Sequence, residues 1–135
     1  GKMQHLHWVC RCGFVKAAEL LLDGGADSTA RDGRDNSPLI LACEYGHPAI
    51  VSLLLARGVD PSEQGRGQET CLIAIAQSFG RGTKVGLLEA MRLLVKDGRV
   101  PVNAFDAEGR TALFYAVRTM KVEAVRLLLL EGRAD

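Results

Sequence analysis

Large rings are scarce in this chain. Its 135 residues include 1 Trp, 2 Tyr and 4 Phe. Aromatic side chains dominate the energetics of many globular cores, so their scarcity argues against such a core and for a thin stack of small apolar residues. Surplus charge is missing too. The chain has 17 Lys and Arg against 16 Asp and Glu, a net charge of +1. No global field draws it toward nucleic acid or an anionic membrane. No run approaches the ~18 apolar residues of a membrane-crossing helix, and the opening residues do not read as a secretory signal. Histidine is confined to His5, His7 and His47. No nucleophile therefore has an evident base, and no carboxylate pair sits in an apolar stretch that would separate two pKa values. Neither catalytic residues nor a cofactor are expected.

What is present is repetition. Leu20-Leu21-Leu22-Asp23-Gly24 returns as Leu53-Leu54-Leu55-Ala56-Arg57-Gly58, then as Leu93-Leu94-Val95-Lys96-Asp97-Gly98, and last as Leu127-Leu128-Leu129-Leu130-Glu131-Gly132. A second phrase precedes each run, with its leucine at Leu6, Leu39, Leu72 and Leu113. The spacings are 33, 33 and 41 residues. Seven of the extra residues are assigned to an insertion at 77–85, and one more lies between Gly98 and Val102. A fixed period of this size means stacked supersecondary units, none of which buries its apolar face alone.

The local chemistry gives the shape of one unit. Ser37, Thr70 and Thr111 each precede a short apolar segment, where a hydroxyl accepts from the unpaired first N–H groups of a helix. Pro38 follows at a first helical turn, where its missing N–H does no harm. Gly13 and Gly46 are expected to end the first helix of a unit. The second helix carries Ile50-Val51 and Leu53-Leu54-Leu55. It is apolar on more than one side because both flanks pack on neighbours, and Gly25 and Gly58 stop it. Asp32-Gly33 reads as the tip of a connecting hairpin. Cys10 and Cys43 lie one period apart, which marks them as small packing residues. Together with Cys12 and Cys71 they do not form a secreted disulfide framework. A reducing compartment, cytoplasmic or nuclear, is expected.

The stretch from Ser37-Pro38-Leu39 through Ala42, Gly46-His47 and Leu53-Leu54 to Gly58-Val59-Asp60 resembles the ankyrin repeat, as does Gly25-Ala26-Asp27. The resemblance covers the whole chain. It implies an all-α repeat fold, an ankyrin-type solenoid of helix-turn-helix pairs joined by β-hairpin loops. The units fall at about 1–30, 31–63, 64–104 and 105–135 in a single domain. Tetratricopeptide units of similar length lack the Gly-Ala-Asp phrase.

The resemblance also implies a function, protein recognition through the hairpin tips and the exposed side of each first helix. At the matching positions stand Arg11 and Cys12 in the first unit, and Gly33, Arg34, Asn36, Glu44 and Tyr45 in the second. The third supplies Arg66, Gly67, Glu69, Gln77 and Ser78, and the fourth Ala107, Glu108, Arg110, Arg118 and Thr119. Arginines exceed glutamates among them, so the expected partner is a protein or peptide with acidic or phosphorylated residues. Tyr45 is the natural aromatic anchor. The alternative is a regulatory or substrate-recruiting domain of a larger enzyme or channel. The end helices carry apolar residues where a stack needs polar caps, so a monomer with further repeats or domains is expected.

Two clusters invite other chemistry. His5, His7, Cys10 and Cys12 fall within eight residues, as metal ligands do. On a helix, His7 pairs with Cys10 and His5 with Cys12, and the two pairs point in different directions, which argues against a metal. The insertion carries Gly82-Thr83-Lys84, the wrong order for a phosphate loop and with no preceding strand. It is expected to be a surface loop in which Arg81 and Lys84 form a basic patch and Ser78 or Thr83 offers a modification site. The third unit departs furthest from the pattern, with Gly65 for Asp, Gln68 for Gly and Cys71 for Pro. It is expected to be the least stable.

Overall fold

The computed structural model describes residues 4–81 and 85–134. Among these residues eight α-helices run in four antiparallel pairs. They are α1 (His5–Cys12) with α2 (Val15–Asp23), α3 (Pro38–Glu44) with α4 (Pro48–Ala56), α5 (Cys71–Ser78) with α6 (Leu87–Asp97), and α7 (Ala112–Arg118) with α8 (Val122–Arg126). A π-helical turn over Leu127–Glu131 extends α8. The first helices pack as one row, α1 on α3 on α5 on α7, and the second helices as another. The chain is an all-α repeat solenoid.

The expected caps set the starts. The Ser37, Thr70 and Thr111 hydroxyls accept the N–H groups of Ile40, Ile73 and Phe114, each at 3.2 Å. Pro38 is the first residue of α3. The core lies between the rows, where Leu6, Leu39, Leu72, Ile50, Leu54, Met91 and Leu94 are all buried. Cys10, Cys43 and Cys71 are buried free thiols. Burial pushes the Cys10 thiol up to about 12 and Cys43 up as well, the latter also through its contact with Cys71. Neutral thiols behave as small apolar packing groups.

The hairpins are tight turns. Asp32 N–H donates to the Asn36 carbonyl at 2.9 Å, Gly65 to Glu69 at 2.8 Å and Asp106 to Arg110 at 3.0 Å. Among the described residues the only β-bridge joins Phe105 to Thr111. The left-handed residue of the second unit's turn is Asp35, at φ 62°, and not the expected tip glycine Gly33. Arg31 Nη1 donates to the Gln64 carbonyl at 2.8 Å and the Ala107 N–H to the Gly67 carbonyl at 2.8 Å, so successive hairpins are tied together. The Ser37 hydroxyl adds a bond to the Glu63 carboxylate.

One expectation about the insertion changes. Gln77 and Ser78 belong to α5, so the extra residues begin after them. Thr83 and Lys84 lie outside the described residues. The return of the insertion is packed closely. A Cβ on Gly86 would sit 2.3 Å from the Gly46 carbonyl oxygen and 2.8 Å from Pro48 Cδ, so only glycine fits where this segment crosses the turn between α3 and α4.

Candidate partner-binding groove

Each inner helix ends in a side chain that the period does not repeat. Arg11, Glu44, Gln77 and Arg118 are equivalent positions on α1, α3, α5 and α7. Beside them stand the hairpin residues Arg34, Asn36, Arg66 and Glu69. Three adjoining clefts result. The first, about 280 Å³, is lined by Arg11, Asp32, Gly33, Arg34, Asn36, Leu41, Glu44 and Tyr45. The second, about 350 Å³, shares Arg34, Asn36 and Glu44 with it and adds Arg66, Gly67, Glu69, Arg81 and Glu108. The third, about 250 Å³, shares Arg81 and adds Gln77, Gly80, Tyr115, Arg118 and Thr119. Shared walls make one groove across the inner helices. The hairpins form one bank and Gly80-Arg81 of the insertion contributes to the other.

Nine of the eleven foremost interface residues line this groove: Arg11, Arg34, Asn36, Glu44, Tyr45, Arg66, Glu69, Gln77 and Arg118. Two do not. Arg110 turns to Glu108, at 3.2 Å, and stacks 5.2 Å from the Phe114 ring centre. Ser78 is buried, and its hydroxyl donates to the Ala74 carbonyl at 2.8 Å. Its side chain is therefore closed both to a partner and to modification. The longer α5 carries it inward, past the point where α3 stops.

The charges are mostly matched. Arg81 meets Glu44 at 3.3 Å. Asp32 Oδ1 accepts the N–H groups of Arg34 and Asn36, each at 2.9 Å. Asp106 does the same for Glu108 and Arg110, each at 3.0 Å, and takes the Tyr115 hydroxyl at 2.5 Å. Burial alone raises the Asp106 pKa. The Tyr115 hydroxyl, those two N–H groups and the Arg110 charge together hold it below the ordinary carboxylate range. Glu69 goes the other way. Burial pushes its carboxyl up, against the Gln77 hydrogen bond and the Arg81 charge, while Asp106 and Glu44 add to the rise. Arg34, Arg66 and Arg118 have no ion pair among the described residues.

The sequence pattern does not single out Trp8 as a site residue, and it places Arg81 in a basic patch rather than in a pair with Glu44. Trp8 lies one helical turn before Arg11, and the spacing on one face was the available signal. Arg81 reaches Glu44 across 37 positions, a pairing that depends on how the insertion folds. Within the His/Cys cluster, His7 and Cys10 are packed into the fold. His7 is buried; its Nδ1 accepts the Gln4 N–H at 3.1 Å and its Nε2 donates to the Ala30 carbonyl at 2.7 Å. Both ring nitrogens are occupied.

The family profile described as "Ankyrin repeats (3 copies)" matches residues 2–65 and 63–135. The chain belongs to the ankyrin-repeat family. Such stacks generally mediate protein–protein interaction. Among similar proteins, neurogenic locus notch homolog protein 2 of Homo sapiens is 29% identical over 127 residues, covering 94% of this chain and 5% of that protein. The nuclear factor NF-kappa-B p105 subunit of Gallus gallus is 34% identical over 126 residues, 90% of this chain and 12% of that protein. Protein fem-1 homolog C of Danio rerio is 39% identical over 62 residues, 46% of this chain and 10% of that protein. This ankyrin stack thus spans about a tenth or less of the length of these relatives. Among its described residues no helix is long and apolar enough to cross a membrane.

Proposed function

We propose that residues 1–135 act as one protein-recognition domain whose groove takes an extended segment of a partner protein. One observation carries this reading. The residues that change from copy to copy line a single continuous groove, whereas the repeated leucines Leu6, Leu39 and Leu72 are buried scaffold. Among the described residues the groove's lining is mainly arginine, amide and carboxylate side chains with the Tyr45 ring, which suits recognition rather than turnover. Arginines without carboxylate partners favour an acidic or phosphorylated segment. The reduced thiols fit a cytoplasmic or nuclear setting, with the chain as a monomeric part of a longer polypeptide.

The test uses a partner captured by the wild-type chain and then purified. The double variant Tyr45→Ala, Arg118→Ala is expected to weaken its binding at least tenfold and leave the melting temperature nearly unchanged. Unchanged affinity, or a loss explained by unfolding, overturns the assignment. A second reading, a recruiting or regulatory domain of a larger enzyme or channel, is favoured by the small share of its relatives that the chain spans. It uses the same groove and differs only in what is attached.

A further inference from the structure

The first cleft holds an arrangement that general peptide binding does not require. The Arg11 guanidinium lies 5.7 Å from the Trp8 ring centre and 5.1 Å from that of Tyr45. Stacking occupies the faces of a guanidinium and leaves its N–H edge free for oxygen ligands. It also limits a side chain that would otherwise lose considerable rotamer freedom on binding. The backbone beneath is held as well, since His47 Nε2 donates to the Arg11 carbonyl at 2.8 Å.

Arg34 lines the same cleft from the hairpin side. Neither Arg11 nor Arg34 has a carboxylate partner among the described residues, whereas Arg31, Arg57, Arg81, Arg92, Arg99 and Arg110 each have one. The carboxylates lining the cleft are already engaged, Asp32 by backbone N–H groups and Glu44 by Arg81. Two cationic forks therefore face a cleft of about 280 Å³ with no anion assigned to them.

We propose that the cleft between α1 and the second hairpin is a receptor for a phosphorylated side chain of the partner, held by Arg11 and Arg34. This rests on the reading of the groove as a peptide site and adds the chemistry of one subsite. A phosphomonoester carries about −1.5 to −2 charge and three acceptor oxygens, which matches two guanidiniums. A carboxylate carries one charge and two oxygens and would leave one fork unmatched. The cleft adjoins the next through Arg34, Asn36 and Glu44, so residues flanking the phosphate have a continuous path to Arg66 and Glu69.

The experiment uses three peptide pools, identical and degenerate except for a central phosphoserine, serine or glutamate. Trp8 is the only tryptophan and touches Arg11, so its fluorescence reports on the cleft directly. The phosphoserine pool is expected to shift Trp8 emission and to bind at least tenfold more tightly than either other pool. Raising the salt should weaken that binding. Arg11→Lys, which keeps the charge but loses the fork and the stack, and Arg34→Ala should each cost the phosphoserine pool most of this preference. Circular dichroism melts that match the wild type would show that both variants fold. Equal binding of the phosphoserine and glutamate pools overturns the proposal, and so does a phosphate preference that survives Arg11→Lys. If binding in either case still falls with Arg118→Ala, the groove reading stands and only the subsite fails. No binding by any pool removes the receptor and leaves the groove to the purified-partner test.

Discussion

The turn that closes each inner helix puts one residue in the left-handed region. Gly13 has φ 85°, Gly46 φ 74°, and the equivalent Met120 φ 59°. A side chain in this conformation costs about 1–2 kcal/mol, and Met120 is 84% exposed, so packing returns little of that. Glycine's greater freedom in the unfolded chain takes back about 0.5–1 kcal/mol. Met120→Gly is therefore expected to stabilise the protein by roughly 0.5–1 kcal/mol, read as a higher urea midpoint at constant slope. A lower midpoint would mean that the Met120 side chain contributes more than its exposure indicates. The hairpin shows the same economy. Asp35, Gln68 and Gly109 share one position at φ 62°, 62° and 78°. A short Asp tolerates that region better than Gln, which has no local hydrogen bond to offset it.

Among the elements, the third hairpin stands apart. Asp32 and Asp106 each accept two backbone N–H groups within their turns, and Gly65 has no side chain to do so. In exchange Gly65 lets the turn approach the second unit, because a Cβ there would lie 2.9 Å from Ile40 Cδ1. Each missing hydrogen bond is worth about 0.5–1.5 kcal/mol. Amide exchange should accordingly be about tenfold or more faster over residues 64–81 than over 37–58, by hydrogen-exchange mass spectrometry. The reverse order would show that the close approach outweighs the lost bonds. Much of this was legible in the sequence, because caps and breakers are local. Ser37, Thr70 and Thr111 announce their helices within three residues of the bonds they accept. Ser78 was misread because counting a period locates an insertion but not the point at which a helix stops. One more residue of helix than in α3 turned a surface position into a buried one. The contact of Arg81 with Glu44 was beyond any periodic argument, since the insertion has no counterpart in the other copies.

At the scale of the whole stack, the fourth unit leaves a face open. Ile40 and Ile73 are 3% and 0% exposed, whereas their equivalent Phe114 is 44% exposed. Cys43 and Ala76 are fully buried, and their equivalent Val117 is 57% exposed. In the earlier units the next inner helix covers these positions. Contiguous apolar surface of this kind promotes association. The double variant Phe114→Ser, Val117→Ser should remain monodisperse at higher concentration by light scattering and lose no more than about 1 kcal/mol of stability. A larger loss would mean that these side chains already pack within the unit. The insertion acts across the stack in the opposite sense. Arg81 holds Glu44, Gly86 lies on Gly46, and Gly80 abuts Thr119, so one segment of the third unit touches both its neighbours on the groove side. Simple repeat arrays obey nearest-neighbour statistics and unzip from their ends. A strap that engages both neighbours couples two units that do not otherwise meet, and the last three should then melt together in one step.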